Sequence, residues 1–234
     1  MNEKRITVRR AEERGGADHG WLKTKHSFSF ADYYDPDYMG YRSLRVINDD
    51  RVAPKRGFGT HPHNDMEIFT YVISGQLRHE DSMGNGRTIE AGEFQYMSAG
   101  KGVYHSEFNP SEEEAHFLQI WILPNERGGE PRYAELDTKA LSADGGMTLF
   151  ASADGRNGSV QMRQEAEIYY GKLEAGEQTQ VSGEGYPGAW IHLIKGQIEI
   201  DGEALKAADG ASIEGGGFEI QAQEEAEFIL FRLK

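Results

Sequence analysis

The sequence contains no cysteine. That absence removes disulfides, thiolate zinc sites, iron–sulfur clusters and cysteine nucleophiles together. Any metal must therefore be held by His, Asp or Glu. Positive charge is also short, with 25 Lys and Arg against 39 Asp and Glu, for a net charge of −14 over 234 residues. A protein that tracks nucleic-acid phosphates by charge needs a basic face, so the balance argues against that mode. No apolar run approaches the roughly 20 residues that cross a bilayer. The charged N-terminal stretch is followed by no apolar segment of the secretory type. A soluble cytoplasmic protein is the expectation. Proline is scarce at 7 residues while glycine reaches 29, a composition suited to short strands joined by tight turns.

What is present alternates with period two. Leu44-Arg45-Val46-Ile47-Asn48, Ile68 to Ile73, Phe117 to Leu123, Ala189 to Ile194, Gly196 to Ile200 and Glu227 to Phe231 all read as strands. Turn pairs separate them, among them Asn85-Gly86, Asp144-Gly145, Asp154-Gly155, Asp201-Gly202 and Asp209-Gly210. No stretch carries a capped apolar stripe of helical period, so the fold class is all-β. Tyr71-Val72-Ile73-Ser74-Gly75-Gln76-Leu77 is echoed by His192-Leu193-Ile194-Lys195-Gly196-Gln197-Ile198, and each copy is followed by a glycine turn and a further strand. Two copies of one antiparallel β-barrel are expected, a first domain over 1–135 and a second over 146–234. Two barrels in one chain need no partner to cover their edges, so a monomer is expected.

The chemistry lies in the first copy. His61 and His63 form an H-x-H pair before a strand-like run, and His105 and Glu107 form an H-x-E pair after the turn Ala99-Gly100-Lys101-Gly102. Residues at i and i+2 of a strand share a face. Each pair therefore projects two ligands in one direction, and strands facing one interior bring three imidazoles and a carboxylate together. Such a set suits Fe(II), Mn(II), Ni(II), Cu(II) or Zn(II) and leaves open positions for a substrate. The other histidines lack this spacing. His79 reads as part of a solvated turn and His192 as a core residue. Around Ser182 and Glu184, where the repeat places the counterparts of the H-x-H pair, there is no histidine.

Gly57 to Glu67 with its T-H-P-H core, and Met97-Ser98-Ala99-Gly100-Lys101-Gly102-Val103-Tyr104-His105-Ser106-Glu107, resemble the two cupin motifs in the variants of the pirin family. The upstream run His26-Ser27-Phe28-Ser29-Phe30-Ala31-Asp32-Tyr33-Tyr34 is similar as well. About the first 135 residues are covered well and the remainder loosely. The resemblance implies a bicupin of the jelly-roll type with one metal, iron(II) first and nickel, copper, manganese or zinc as alternatives. Its ligands would be at His61, His63, His105 and Glu107. Glu67, a ligand in many other cupins, is kept as a group that orients a ligand imidazole.

The resemblance also implies an oxidoreductase of the quercetin 2,3-dioxygenase type. A flavonol or similar enolisable compound would chelate the metal and react with dioxygen, with Glu107 as ligand and then as base. Nuclear members of the family are described instead as transcriptional cofactors with a redox-sensing metal. A non-enzymatic regulator acting through a protein partner is therefore the alternative.

Overall fold

The computed structural model describes residues 5–138 and 145–234. Their regular structure is strand, apart from short 3-10 turns such as Ala11–Glu13 and Arg156–Gly158. Among the described residues no helix is long and apolar enough to cross a membrane. The chain divides into two compact units, one built from Gly15–Ala140 with Met162–Gln164, the other from Met1–Arg14, Leu141–Gln161 and Glu165–Lys234.

Each unit pairs a seven-stranded sheet with a four-stranded one. In the first unit the large sheet runs in the order Arg132–Asp137, Glu93–Ser98, Glu67–Ser74, Ala115–Ile122, Leu44–Val52, Leu22–His26, Gly15–Asp18. Its small sheet runs Gly57–His63, Val103–Phe108, Gln76–Asp81, Gly86–Glu90. In the second unit the large sheet runs Arg5–Arg9, Gly210–Glu214, Gly188–Lys195, Ala226–Leu233, Ala166–Leu173, Met147–Ser152, Val160–Gln161. The small sheet there is Gln178–Val181, Phe218–Ala222, Gln197–Ile200, Glu203–Lys206. The bicupin architecture stands, with one correction to the expected barrels. No sheet pairs its first strand with its last, so each unit is two open sheets with free edges.

The two strand orders correspond position by position, as duplication requires. Gly75 and Gly196 occupy the same bend between sheets, both with positive φ (+76° and +82°). A Cβ at either would meet a carbonyl, Glu114 O at 2.8 Å or Glu225 O at 2.2 Å, so only glycine fits. The hairpin at Asp201-Gly202 has positive φ at both residues, the requirement of a two-residue type I′ turn.

One strand is placed where local sequence gives no hint. Arg5–Arg9 pairs with Gly210–Glu214 and fills, in the second unit, the edge position that Arg132–Asp137 fills in the first. The residues up to Arg14 therefore cluster with the second unit, not with the 1–135 segment. The expected boundary, between 135 and 146, spans 139–144, which lie outside the described residues.

The interiors differ. The second unit is filled by one apolar cluster that includes Leu173, Val181, Ile191, Leu193, Ile200, Phe218, Ile220 and Phe228. In the first, among the described residues, apolar clusters form around Val52, Leu77 and Phe117 and around Ile68, Met97 and Val103. That unit also holds a cavity.

Candidate metal centre and its cavity

The small sheet of the first unit carries the site. Val103–Phe108 pairs with Gly57–His63, setting His105 opposite His61 and Val103 opposite His63. Beyond that the register slips, because Glu107 pairs with Phe58. Two steps along one strand therefore match three along the other, so Gly57–His63 carries an extra residue. A bulge of this kind re-aims the side chains around it. Here it also turns a carbonyl inward, and Gly59 O accepts a hydrogen bond from His61 Nδ1 at 2.8 Å. That bond fixes the tautomer and leaves Nε2 as a lone-pair donor, the usual outer support of a ligating imidazole.

His61, His63 and His105 each offer a ring nitrogen, all within 4.8 Å of one another. The Nε2 atoms of His61 and His105 are 3.0 Å apart. An ion about 2.1 Å from two nitrogens at a right angle separates them by about 3.0 Å, so the pair fits a first-row metal. Burial, then the neighbouring imidazoles, holds His63 down at about 4 and His105 at about 2. Both rings are thus neutral near pH 7, the form that binds metal. Trp121 packs its edge against His63 with centroids 5.0 Å apart.

Glu107 is buried, and its carboxylate accepts from Thr70 Oγ1 at 3.3 Å and Gln119 Nε2 at 2.5 Å. It lines the same cavity as His61 and His63. It does not belong to the group of ligand atoms within 4.8 Å of one another, so the structure gathers three of the four expected ligands. Burial pushes its pKa up to about 7, against the two hydrogen bonds, which lower it.

Glu67 does not reach an imidazole. Its oxygens accept from Tyr96 Oη and Ser98 Oγ, each at 2.5 Å, and from the Arg163 backbone N–H at 2.9 Å. The role of orienting a ligand imidazole is corrected to that of a structural tie between two strands and the segment Met162–Gln164. His79 is corrected as well. It lies in the strand Gln76–Asp81, fully buried, with its ring centroid 5.2 Å from that of His105 and stacked on Tyr133. Alternation with exposed Arg78 and Glu80 was the signal for this, hidden by the charged neighbours.

The cavity measures about 710 Å³, within the range of small-molecule sites. Its walls are aromatic, with Trp21, Phe30, Tyr33, Phe58 and Trp121. Beside His19 and Asp32, the polar members outside the site are five strand residues, Thr24, His26, Asn48, Asp50 and Gln119. His26 Nδ1 and Asn48 Oδ1 are 2.7 Å apart, so the ring donates through Nδ1. Sequence reasoning singled out none of these five as site residues. The inward alternation of Leu22-Lys23-Thr24-Lys25-His26 contained the signal for two of them.

The register also locates the counterparts in the second unit. His105 pairs with His61 as Phe218 pairs with Val181, and Glu107 pairs with His79 as Ile220 pairs with Ile200. All four counterparts are apolar and belong to that unit's core cluster.

A family model described as Pirin matches residues 7–122, and one described as Quercetinase C-terminal cupin domain matches 149–233. A quercetin 2,3-dioxygenase of Escherichia coli strain K12 is 47% identical over 232 residues, 97% of this chain and 98% of that protein. A pirin-like protein of Caulobacter vibrioides is 42% identical over 219 residues, 92% of this chain and 94% of its own. The crystal structure of the bacterial pirin YhhW from Escherichia coli in complex with nickel(II) has a TM-score of 0.93 at 46% identity, covering 98% of this chain and 99% of that one.

Proposed function

The chain belongs to the pirin family, and from that premise we propose that it is a metal-dependent dioxygenase that opens the ring of a flavonol or similar planar, enolisable compound. The observation that carries the reading is the histidine triad opening into an aromatic-walled cavity of about 710 Å³. His61, His63 and His105 would hold the ion, and Glu107, which stands outside their group on the same cavity, is the fourth ligand that the family resemblance implies. Iron(II) is assigned first, with nickel(II) as the rival because a relative's crystal structure contains it. The bound metal supplies Lewis-acid and redox chemistry to a substrate's adjacent hydroxyl and carbonyl oxygens and to dioxygen.

The chain's own groups prepare that chemistry. Gly59 O keeps the His61 lone pair turned inward. Trp121 and Phe58 line the cavity and give a planar ring aromatic surface to pack on. Glu107 takes the enolic proton on a carboxylate oxygen while Thr70 and Gln119 hold the group in place. Burial raises the proton affinity of this carboxylate, which favours its use as a base.

The test is aerobic turnover of quercetin by protein loaded separately with iron(II), nickel(II), copper(II), manganese(II) and zinc(II). At least one redox-active form should consume dioxygen with quercetin. His105→Ala should abolish that activity, and Glu107→Gln should lower kcat by roughly 10²–10⁴. Undiminished turnover in His105→Ala would sink the mechanism.

A further inference from the structure

The second unit keeps a cavity of its own, about 250 Å³, although the counterparts of His61, His105, Glu107 and His79 there are apolar. The pairing registers place it where the first unit has its metal centre. Ile68 and Ala189 each lie seven residues ahead of the matching glycine, Gly75 or Gly196. Trp121 pairs with Ile68 and Val46 as Arg232 pairs with Ala189 and Glu167. Asn48 lies between Gln119 and His26 as Tyr169 lies between Leu230 and Leu149. Arg232, Tyr169 and Leu149 line the second cavity, and their counterparts Trp121, Asn48 and His26 line the first.

What changes is the chemistry of the wall. Arg156 and Arg232 both line the second cavity, and among the described residues no Asp or Glu does. One buried carboxylate holds the two guanidiniums together. Glu167, 3% exposed, accepts from Arg156 Nη2, from Arg232 Nη1 at 2.6 Å and from Tyr169 Oη at 2.7 Å. One arginine would neutralise that acid, so the second leaves excess positive charge beside the cavity. Asp154 also bonds Arg156, through Nη1 at 3.2 Å, but its side chain is 63% exposed and water screens the pair. Each guanidinium carries five N–H groups. The bonds to Glu167, Asp154 and the Glu184 carbonyl engage two on each, so donors remain on both. The Tyr186 ring, with its centroid 4.6 Å from Arg232 Cζ, steadies that side chain. The rest of the wall includes the apolar Met147, Leu149 and Val181.

We propose that this cavity is an anion site for a small carboxylate with a compact apolar body, the carboxylate bridging Arg156 and Arg232 and the body packing on Met147, Leu149 and Val181. The planar fork of a guanidinium matches the two oxygens of a carboxylate. A volume of about 250 Å³, against about 710 Å³ at the metal centre, sets the ligand at the size of a single ring. The site needs no metal and stands independently of the reaction proposed for the first unit.

The experiment titrates benzoate into the isotope-labelled, zinc-loaded full chain and follows backbone amides by NMR. Saturable shifts are expected at Arg156, Asn157, Gln180, Val181 and Ser182. Benzamide, the same ring without the charge, should bind at least roughly tenfold more weakly. Arg156→Gln should weaken benzoate by about tenfold, and Arg156→Lys, which keeps the charge but not the fork, should fall between it and wild type. Chelator competition should find metal affinity unchanged in both variants. Shifts confined to Gly57–His63 and Val103–Phe108, equal binding of benzamide, or a folded Arg156→Gln that binds benzoate as wild type does would each overturn the proposal. Inorganic phosphate bound as tightly as benzoate would overturn the assignment of an apolar body. Should Arg156→Gln melt far below wild type, the comparison of benzoate with benzamide on wild type decides alone.

Discussion

In the metal-free site the protons reside on carboxyl groups rather than on imidazoles. Burial lifts Asp50 and Glu107 to about 7 and lowers His63 to about 4 and His105 to about 2. The two sets act oppositely on stability. A carboxyl raised from its usual 3.8 or 4.5 loses stability as pH climbs toward 7, because the folded state keeps a proton that the unfolded state releases. An imidazole lowered from 6.5 loses stability as pH falls below that value, because the unfolded state takes up a proton that the folded state refuses. Between pH 4.5 and 6.5 the contributions of two carboxyls and two imidazoles nearly cancel. Asp50→Leu removes one carboxyl from the balance. The slope of unfolding free energy against pH in that window should become more positive by about 1.4 kcal/mol per pH unit. Urea unfolding of metal-free protein at several pH values checks this. Glu67 is a different kind of residue, since its carboxylate is fully engaged. Glu67→Ala leaves Tyr96 Oη and Ser98 Oγ without this acceptor and should cost about 1–3 kcal/mol. Metal affinity, read by competition with a chelator, should stay within about threefold.

At the scale of the element, the site depends on a bulge and the glycine beside it. A Cβ on Gly57 would lie 2.1 Å from Glu107 O, whereas one on Gly59 would meet nothing within 4 Å. Gly57→Ala should therefore push Gly57–His63 away from Val103–Phe108, carrying His61 off His105. Overpacking of this kind costs about 1–3 kcal/mol. Chelator competition should show metal affinity at least about tenfold weaker, since the ligand pair no longer brackets one ion. Gly59→Ala is the control and should change neither quantity appreciably. The period-two pairs His61/His63 and His105/Glu107 were legible in the sequence because strand geometry is local. The bulge was not, because it exists only in the pairing of two strands distant in sequence. It explains why three imidazoles converge while Glu107 stands apart from their group, held by Thr70 and Gln119.

Over the whole molecule, one duplicated architecture carries two different interiors. Where the first unit has His61, His105, Glu107 and His79, the second has Val181, Phe218, Ile220 and Ile200. The polar set lies on a cavity of about 710 Å³, whereas in the second unit the counterpart strands line only about 250 Å³, with Val181 in its wall. The edge strand Arg5–Arg9 belongs to the second unit, so deletion of residues 1–14 should unprotect amides of Gly210–Glu214, its pairing partner. Hydrogen exchange should show that loss while chelator competition finds metal affinity unchanged. Equal loss of protection across Glu67–Ser74 would overturn the assignment of that strand to the second unit alone.

Alternation, turn residues and the Gly75/Gly196 echo were enough to give an all-β duplicated chain, and the H-x-H and H-x-E pairs marked His61, His63, His105 and Glu107, of which the three histidines cluster. All three signals arise from the backbone's own period and are readable within a dozen residues. Tertiary structure alone decided that the sheets stay open, that Arg5–Arg9 pairs within the second unit, and that the Asp50 carboxyl is buried beside the cavity. Each of these depends on which distant strand lies alongside, from Thr24 and Phe117 beside Asp50 to Glu214 beside Arg5, and such pairing leaves no local mark on either partner.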